Sequence, residues 1–314
     1  MASLHQTTQN SVEEGHSHPS KKWKKWKLYG LRFAHSNAYV SIPILAITIS
    51  TYMLVGYFTL DLNYVAFLFF STLFLYPLHR LIGLRLTIPL EYSPAQKSVH
   101  KKPLTARFSV IIGFLGSIIF STQLAPQVFQ YLIPLGLISI TYSLPLIPTL
   151  NGWKRLRDIP GIKIYAISIV VTLTTSTIPL LLTEQFGHLD IALFAAQRFL
   201  FILAITIPFD IRDVRIDTKW KLKTIPLLIG PEAALILSKS LLAMGVLTSI
   251  FQFFYTSGIS IQALLAIFIS HIWAAYILEK FKTYNAPLFN AFMVEGTMVF
   301  QFGIITFIQV LYSL

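Results

Sequence analysis

The stretch that decides the fold is Phe209–Gly230, FDIRDVRIDTKWKLKTIPLLIG, which follows one long apolar run and precedes another. Asp210, Asp213 and Asp217 are spaced i, i+3 and i+7, so on a helix all of these carboxylates project from one face. Carboxylates suit a divalent cation and interleaved cations suit phosphate, so this pattern at the end of an apolar segment indicates a site for a diphosphate-bearing lipid. The interleaved cations are Arg212, Arg215, Lys219, Lys221 and Lys223.

The composition is that of an integral membrane protein. Of its 314 residues, 54% are hydrophobic and only 12% are charged, and the mean hydropathy is +0.65. The net charge of +12 comes from Lys and Arg residues that flank the apolar segments. Because there is no basic face on a soluble domain, nucleic acid is not expected as a partner. The chain contains no cysteine, which excludes disulfides, thiolate catalysis and cysteine-bound metal centres.

The chain divides into a short polar segment and one large apolar domain. Residues 1–20 are polar and irregular and predict a disordered tail. The segment KKWKKWK at 21–27 predicts an interfacial anchor, because lysines bind anionic headgroups and Trp23 and Trp26 favour headgroup depth. Residues 28–314 are predicted to form the transmembrane domain.

Apolar segments close to the length of a bilayer crossing fill that domain. We predict an all-α, polytopic membrane bundle of about nine transmembrane helices. The predicted spans are 37–58, 63–84, 106–123, 128–146, 161–182, 190–209, 233–256, 258–278 and 287–312.

The distribution of Lys and Arg predicts the orientation. Alternate connections, near 59–62, 124–127, 183–189 and 257, contain neither residue type, whereas the others are rich in both. We therefore expect a multi-pass protein of the bacterial inner membrane, with a cytoplasmic N-terminus, an external C-terminus and the acidic stretch on the cytoplasmic side. Lys163 is counted among the cations of the cytoplasmic connections. Lys154, Arg155 and Arg157 are interpreted as topology determinants in preference to ligands.

With the spans placed, the chain resembles the UbiA superfamily of membrane prenyltransferases. The second aspartate motif of that family, DxxDxxxD, lies at the cytoplasmic end of the sixth of nine helices. Asp210, Asp213 and Asp217 match it in spacing, helix number and side. The residues that resemble the family's continuation, a Thr-Leu-Pro-like segment and a Gly before the next helix, are Lys219, Lys223, Thr224, Pro226 and Gly230.

A second matching segment lies upstream. Tyr142, Ser143 and Pro145 resemble the Tyr-Ser-x-Pro turn that follows the family's fourth helix and leads through basic residues to Pro-Gly and the fifth helix. The resemblance covers roughly residues 28–312.

The family's first aspartate motif is missing. Family members carry NDxxDxxxD at the end of the second helix, followed by an Arg-Pro-Leu segment, and this chain reads YPLHRLIGLRL at that place. Setting Tyr76 and Pro77 against the Asn and Asp places Arg80 and Leu84 at the later Asp positions, so no carboxylate is left. The segment Lys102–Leu104 resembles the Arg-Pro-Leu part.

The resemblance implies an enzyme that transfers an isoprenyl group from a prenyl diphosphate to a hydrophobic acceptor, with Mg²⁺ as cofactor. Membrane lipids are expected as further partners. It implies that Asp210, Asp213 and Asp217 are the catalytic metal ligands. The substrate-binding residues that it suggests are His79, Arg80, Lys102, Tyr142, Lys219 and Lys223.

The missing motif leaves two outcomes open. In the first, His79 and Arg80 contact the diphosphate directly where a carboxylate and Mg²⁺ would stand, and the site needs one metal ion instead of two. In the second, the protein no longer ionises its substrate and binds an isoprenoid or another lipid. A small lipid or ion carrier is a further alternative, which predicts paired charges near the membrane midplane.

One charged residue lies deep inside a predicted span. Arg198 precedes Asp210 by twelve residues, or about 18 Å of helix. An intramembrane arginine needs a partner. We predict that Arg198 pairs with Glu295 of the last span or shares a polar cavity with it.

Overall fold

The computed structural model describes residues 39–55, 60–86, 99–149, 152–219, 222–256, 258–281 and 293–313. The tail, the KKWKKWK segment and most of the connection between residues 86 and 99 lie outside the described residues, so the predictions for them stay predictions. The long helices are α1 (Ser41–Leu54), α2 (Leu62–Leu86), α3 (Pro103–Ser121), α4 (Phe129–Ser143), α5 (Lys163–Thr183), α6 (His188–Lys219), α7 (Pro231–Tyr255), α8 (Ile261–Phe281) and α9 (Gly296–Ser313).

The helices form a polytopic membrane bundle, as predicted. In the described part of the chain, six of them, α2, α3, α5, α6, α7 and α8, are long and apolar enough to cross a membrane, whereas α1 and α9 are apolar but shorter. The prediction of about nine spans is therefore not confirmed as a count. The buried core lies where α6 packs against α7, and where α9 packs against α1 and α8.

Helix α6 differs most from its predicted span. The predicted span ends at residue 209, but the helix continues to Lys219 and is 32 residues long. Residues 210–219 contain no glycine or proline that could end the helix, and their charges project beyond the apolar region. The acidic triad is therefore helical throughout, and Asp210 and Asp217 are buried.

A small β-hairpin interrupts the otherwise helical fold. Strand β1 (Ile147–Thr149) pairs antiparallel with β2 (Gly152–Lys154). Gly152 has a φ of +102°, which favours glycine. The all-α prediction omitted this hairpin, although Asn-Gly at 151–152 is a strong hairpin signal.

The helices α2 and α3 pack closely because two glycines of α3 face α2. A Cβ atom added at Gly113 would lie 2.7 Å from the carbonyl carbon of Leu73 and 2.8 Å from Cα of Phe74. Both are backbone atoms, so they cannot move aside as a flexible side chain could. Gly116 faces the Phe70 ring in the same way. Glycine here lets the two backbones approach, as is common between membrane helices.

We expect Gly113→Ala to destabilise the protein by about 1–3 kcal/mol, because α2 and α3 must separate to accept the methyl group. The thermal unfolding midpoint in detergent should fall by several degrees. Gly303→Ala in α9 is the matched control, since no atom lies within 4 Å of a Cβ atom there. Equal midpoints for the two variants would contradict the close approach of α2 and α3.

Arg198 does not pair with Glu295, so that prediction is wrong. The guanidinium of Arg198 is buried and donates from Nη1 to Oε1 of Gln301 at 2.9 Å and from Nη2 to Oγ1 of Thr51 at 3.0 Å. These neutral oxygens tie α6 to α9 and α1. Glu295 precedes α9 by one residue and faces a different region, the cavity described next.

Candidate functional site

A cavity of about 600 Å³ opens between α1, α2, α4, α5, α6 and the segment before α9. One end of the cavity is charged and includes the end of α6 that carries the triad. The remainder is mainly apolar and is lined by side chains such as Phe67, Leu132 and Val170. A channel of this kind suits a molecule with a charged head and a long apolar chain.

The acidic triad lines one wall of the charged end and surrounds a lysine. Nζ of Lys163, the first residue of α5, lies 2.7 Å from Oδ1 of Asp210, 3.4 Å from Oδ2 of Asp217 and 4.0 Å from Oδ2 of Asp213. One ammonium group is thus shared by three carboxylates. We call Asp210, Asp213, Asp217 and Lys163 the acidic wall.

Asp213 has a second cationic partner. Arg212 donates from Nε to Oδ1 of Asp213 at 2.8 Å and from Nη2 to Oδ2 at 3.0 Å. The guanidinium carbon also lies 5.2 Å from the centre of the Phe209 ring. This two-point ion pair fixes the orientation of the Asp213 carboxylate.

Arg80 of α2 lies on another side of the charged end. It is buried, donates from Nη2 to the hydroxyl of Tyr76 and places its guanidinium carbon 4.0 Å from the centre of the Tyr76 ring. Its buried Nη1 has no hydrogen-bond partner among the described residues. A buried charged donor without a partner is costly, so Arg80 is suited to bind an anion that enters the cavity.

His79 and Arg157 lie beside Arg80. Nδ1 of His79 lies 3.2 Å from Oγ of Ser143, whose hydroxyl donates to the Ser139 carbonyl, and Nε2 accepts from Nη1 of Arg157. A neutral imidazole with its proton on Nδ1 satisfies both contacts, so His79 orients Arg157. The His79 ring also packs on Tyr142, with centroids 5.3 Å apart. We call His79, Arg80 and Arg157 the cationic wall.

The segment before α5 holds Arg157 in place. Arg155 donates from Nε and Nη2 to the two carboxylate oxygens of Asp158, at 2.7 and 2.8 Å. The resulting short turn, Leu156–Asp158, presents Arg157 to the cavity.

Among the described residues, the cavity is lined by equal numbers of cationic and acidic side chains. Arg80, Arg155, Arg157, Lys163 and Arg212 face it, together with Asp158, Asp210, Asp213, Asp217 and Glu295. Each charge can therefore be offset by the protein itself, although the two walls differ in sign.

The structure brings six of the nine predicted site residues together at this cavity. They are Asp210, Asp213, Asp217, His79, Arg80 and Tyr142. Lys102, Lys219 and Lys223 are exposed and are not among the residues that line it. Their assignment to substrate stays a prediction.

Sequence reasoning missed five charged residues that line the cavity: Arg155, Arg157, Asp158, Lys163 and Glu295. Lys163 and Arg157 were interpreted as topology cations, and Glu295 was assigned to Arg198. The position of Lys163 two residues after Pro160-Gly161, at the start of α5, is a signal that it lies at the same membrane side as the triad. No spacing rule shows that its ammonium reaches all three carboxylates, because the contact joins residues about fifty positions apart.

The donors at the two walls decide how Mg²⁺ fits. The acidic wall supplies carboxylate oxygens, which Mg²⁺ prefers, and the cationic wall supplies nitrogen groups only. No group of three or more His, Cys, Asp or Glu side chains among the described residues could hold a metal ion as they stand. The residues fit one Mg²⁺ held by carboxylates of the acidic wall and completed by phosphate oxygens, but not a second ion at α2.

Comparisons with known proteins give the same architecture. The sequence matches no protein-family model and no curated protein. A UbiA homologue from Archaeoglobus fulgidus matches with 16% identity and a TM-score of 0.59, over 90% of this chain and 99% of that one. The apo structure of a UbiA homologue from Aeropyrum pernix K1 matches with 15% identity and a TM-score of 0.58, over 92% and 98%.

A structure of the Archaeoglobus fulgidus homologue bound to GPP and Mg²⁺ also matches, with 16% identity and a TM-score of 0.54, over 88% of this chain and 99% of that one. Sequence identities this low show the fold alone and do not show the activity. The chain is an integral, multi-pass membrane protein with the UbiA fold.

Proposed function

We propose that this protein is a UbiA-type membrane prenyltransferase, which transfers an isoprenyl group from a prenyl diphosphate to a hydrophobic acceptor. The observation that carries the proposal is the cavity: an apolar channel leads to one charged end, where an acidic and a cationic wall meet. The UbiA homologue bound to GPP and Mg²⁺ supports this choice of substrate.

The reaction requires stabilisation of a leaving group. The C1–O bond of the prenyl diphosphate breaks, its electron pair leaves with the diphosphate, the acceptor forms a bond to C1, and a proton leaves the acceptor. Negative charge develops on the departing diphosphate, so pre-oriented donors lower the barrier. Arg80 and Arg157 would supply these donors from the cationic wall.

The acidic wall would bind the metal ion. Asp210, Asp213 and Asp217 would hold one Mg²⁺, which supplies Lewis-acid stabilisation of the leaving diphosphate. Tyr142 and Phe209 line the same end of the cavity, where aromatic faces can stabilise the allylic cation. The proposal includes the orientation expected from the Lys and Arg distribution, with this end at the cytoplasmic face of a bacterial inner membrane.

A second candidate is a UbiA-fold protein that binds an isoprenoid without transferring it. The replacement of the first aspartate motif by YPLHRLIGLRL favours it, because one of the two metal-binding walls of the family is absent. A carrier is not favoured, since Arg198, the charge deep in the bundle, has neutral partners.

We expect the detergent-purified protein to bind geranylgeranyl diphosphate more tightly with Mg²⁺ than with EDTA. Asp213→Asn should remove most of the Mg²⁺-dependent part, at least a tenfold change, because one carboxylate of the acidic wall is lost. Isothermal titration calorimetry measures both. Asp190→Asn is the matched control, since Asp190 lies at the other end of α6 and bonds to Gln252.

Transfer to acceptors in a membrane extract then separates the two candidates. Radiolabel that moves from the diphosphate to a lipid-soluble product supports the transferase. Binding without transfer supports the isoprenoid-binding protein. Absence of prenyl diphosphate binding, with or without Mg²⁺, would retire both.

A further inference from the structure

We infer that Lys163 is the built-in counter-ion of the acidic triad and that it makes Mg²⁺ and the prenyl diphosphate bind together, each promoting the other. The inference rests on the proposed function. It concerns a positioning residue: Lys163 acts through the carboxylates, and it decides when they become available to the metal.

Lys163 occupies the position that a metal bound by the triad would need. Its Nζ lies within 4.0 Å of a carboxylate oxygen from each of Asp210, Asp213 and Asp217. A metal bound by these carboxylates would need the same space, because it too must lie where their oxygens converge. The ammonium and the metal therefore compete for one position.

Within the described part of the chain, a displaced Lys163 has no second carboxylate group to move to. Its side chain is only 12% exposed. Of the two other acids that line the cavity, Asp158 is bound at two points by Arg155, and Glu295 makes no ion pair with Lys163 in the described part of the chain. Metal binding alone would thus leave a largely buried ammonium without an anion, which is strongly unfavourable.

A bound diphosphate supplies an anionic partner for the displaced Lys163. A diphosphate between the acidic and the cationic wall places oxygens next to Lys163, whose flexible stem and compact ammonium group can turn to them. The displaced ammonium then keeps an anionic partner. Lys163 therefore couples the two ligands positively, and by linkage each must strengthen the binding of the other by the same factor.

The test compares Mn²⁺ binding by electron paramagnetic resonance in wild type, Lys163→Met and Lys163→Arg. We expect wild type and Lys163→Arg to bind Mn²⁺ weakly alone and at least tenfold more tightly with GPP, within the usual range of coupling. Lys163→Met should bind Mn²⁺ more tightly than wild type without GPP and gain a smaller factor from GPP than wild type does, because only the metal–phosphate bonds then couple the two ligands. Lys239→Met is the matched control, because Lys239 pairs with Glu279 in an exposed ion pair.

Thermal unfolding provides a second readout. It can be used even if a variant is less stable than wild type, because the shift caused by Mg²⁺ is measured within each variant. Without lysine, three carboxylates repel one another, so Mg²⁺ alone should raise the unfolding midpoint of Lys163→Met more than that of wild type. Equal Mn²⁺ affinity of wild type and Lys163→Met without GPP, together with equal midpoint shifts, would overturn the inference and leave the proposed function intact. Failure of every variant to bind GPP would overturn the proposed function as well.

Discussion

Replacing Arg80 by methionine is expected to weaken the binding of geranylgeranyl diphosphate by about 100-fold, or about 2.8 kcal/mol. Arg80 is buried, its Nη1 has no hydrogen-bond partner among the described residues, and it faces the charged end of the cavity. A diphosphate oxygen would satisfy this donor in a site sheltered from water, where a charged hydrogen bond is strong. Titration of the purified variant with the diphosphate measures the loss.

Two further variants make the Arg80 result specific. Arg80→Lys should recover part of the affinity, because it keeps the charge but loses the two-point geometry of the guanidinium. Arg85→Met is the matched control, since Arg85 lies one and a half turns further along α2, is exposed and does not line the cavity. If Arg80→Met binds as tightly as Arg85→Met, Arg80 serves the packing of Tyr76 and the diphosphate lies elsewhere.

The sequence was most informative where a pattern is local. The spacing of Asp210, Asp213 and Asp217 lies within one helix, so periodicity alone placed the carboxylates on one face, and α6 confirms that they are helical. The apolar segments likewise predicted the membrane bundle. Helix α6 extends past the predicted span, which ended at residue 209 because hydropathy falls there, and the backbone remains helical for another ten residues.

The partners of the triad could not be predicted in the same way. Lys163 and Glu295 reach the cavity from other helices, and their separation in sequence carries no information about distance. Arg198 shows the converse error. Pairing it with the one acid thought to be inside another span ignored the neutral oxygens of Gln301 and Thr51, which satisfy it at 2.9 and 3.0 Å. Such contacts depend on tertiary packing.

The two walls give the missing first motif a physical interpretation. The UbiA family has a second acidic motif at the place where this chain has His79, Arg80 and Arg157. The other wall of this chain already contains a lysine. Cations supplied by the protein can offset diphosphate charge that would otherwise require a second metal ion. We therefore expect one Mg²⁺ per bound diphosphate.

Gly136→Phe is expected to reduce the affinity for geranylgeranyl diphosphate at least tenfold and to leave the affinity for DMAPP, which has a single isoprene unit, within about twofold. Gly136 lines the cavity from α4, and no atom lies within 4 Å of a Cβ atom built there. It precedes Ser143, which contacts His79, by seven residues, or about 10 Å along the helix. A phenyl ring attached there would thus narrow the channel beyond the charged end, and its Cβ atom would meet no protein atom within 4 Å.

Gly303→Phe is the matched control, because Gly303 in α9 also has open space beside it but does not line the cavity. Both variants place the same ring on a membrane helix, so any difference between them comes from the channel. Competition between DMAPP, GPP and geranylgeranyl diphosphate measures how the preference for prenyl chain length changes. If Gly136→Phe weakens all three equally, the ring disturbs the charged end; if it weakens none, the prenyl chain leaves the cavity between other helices, and the channel past Gly136 does not hold it.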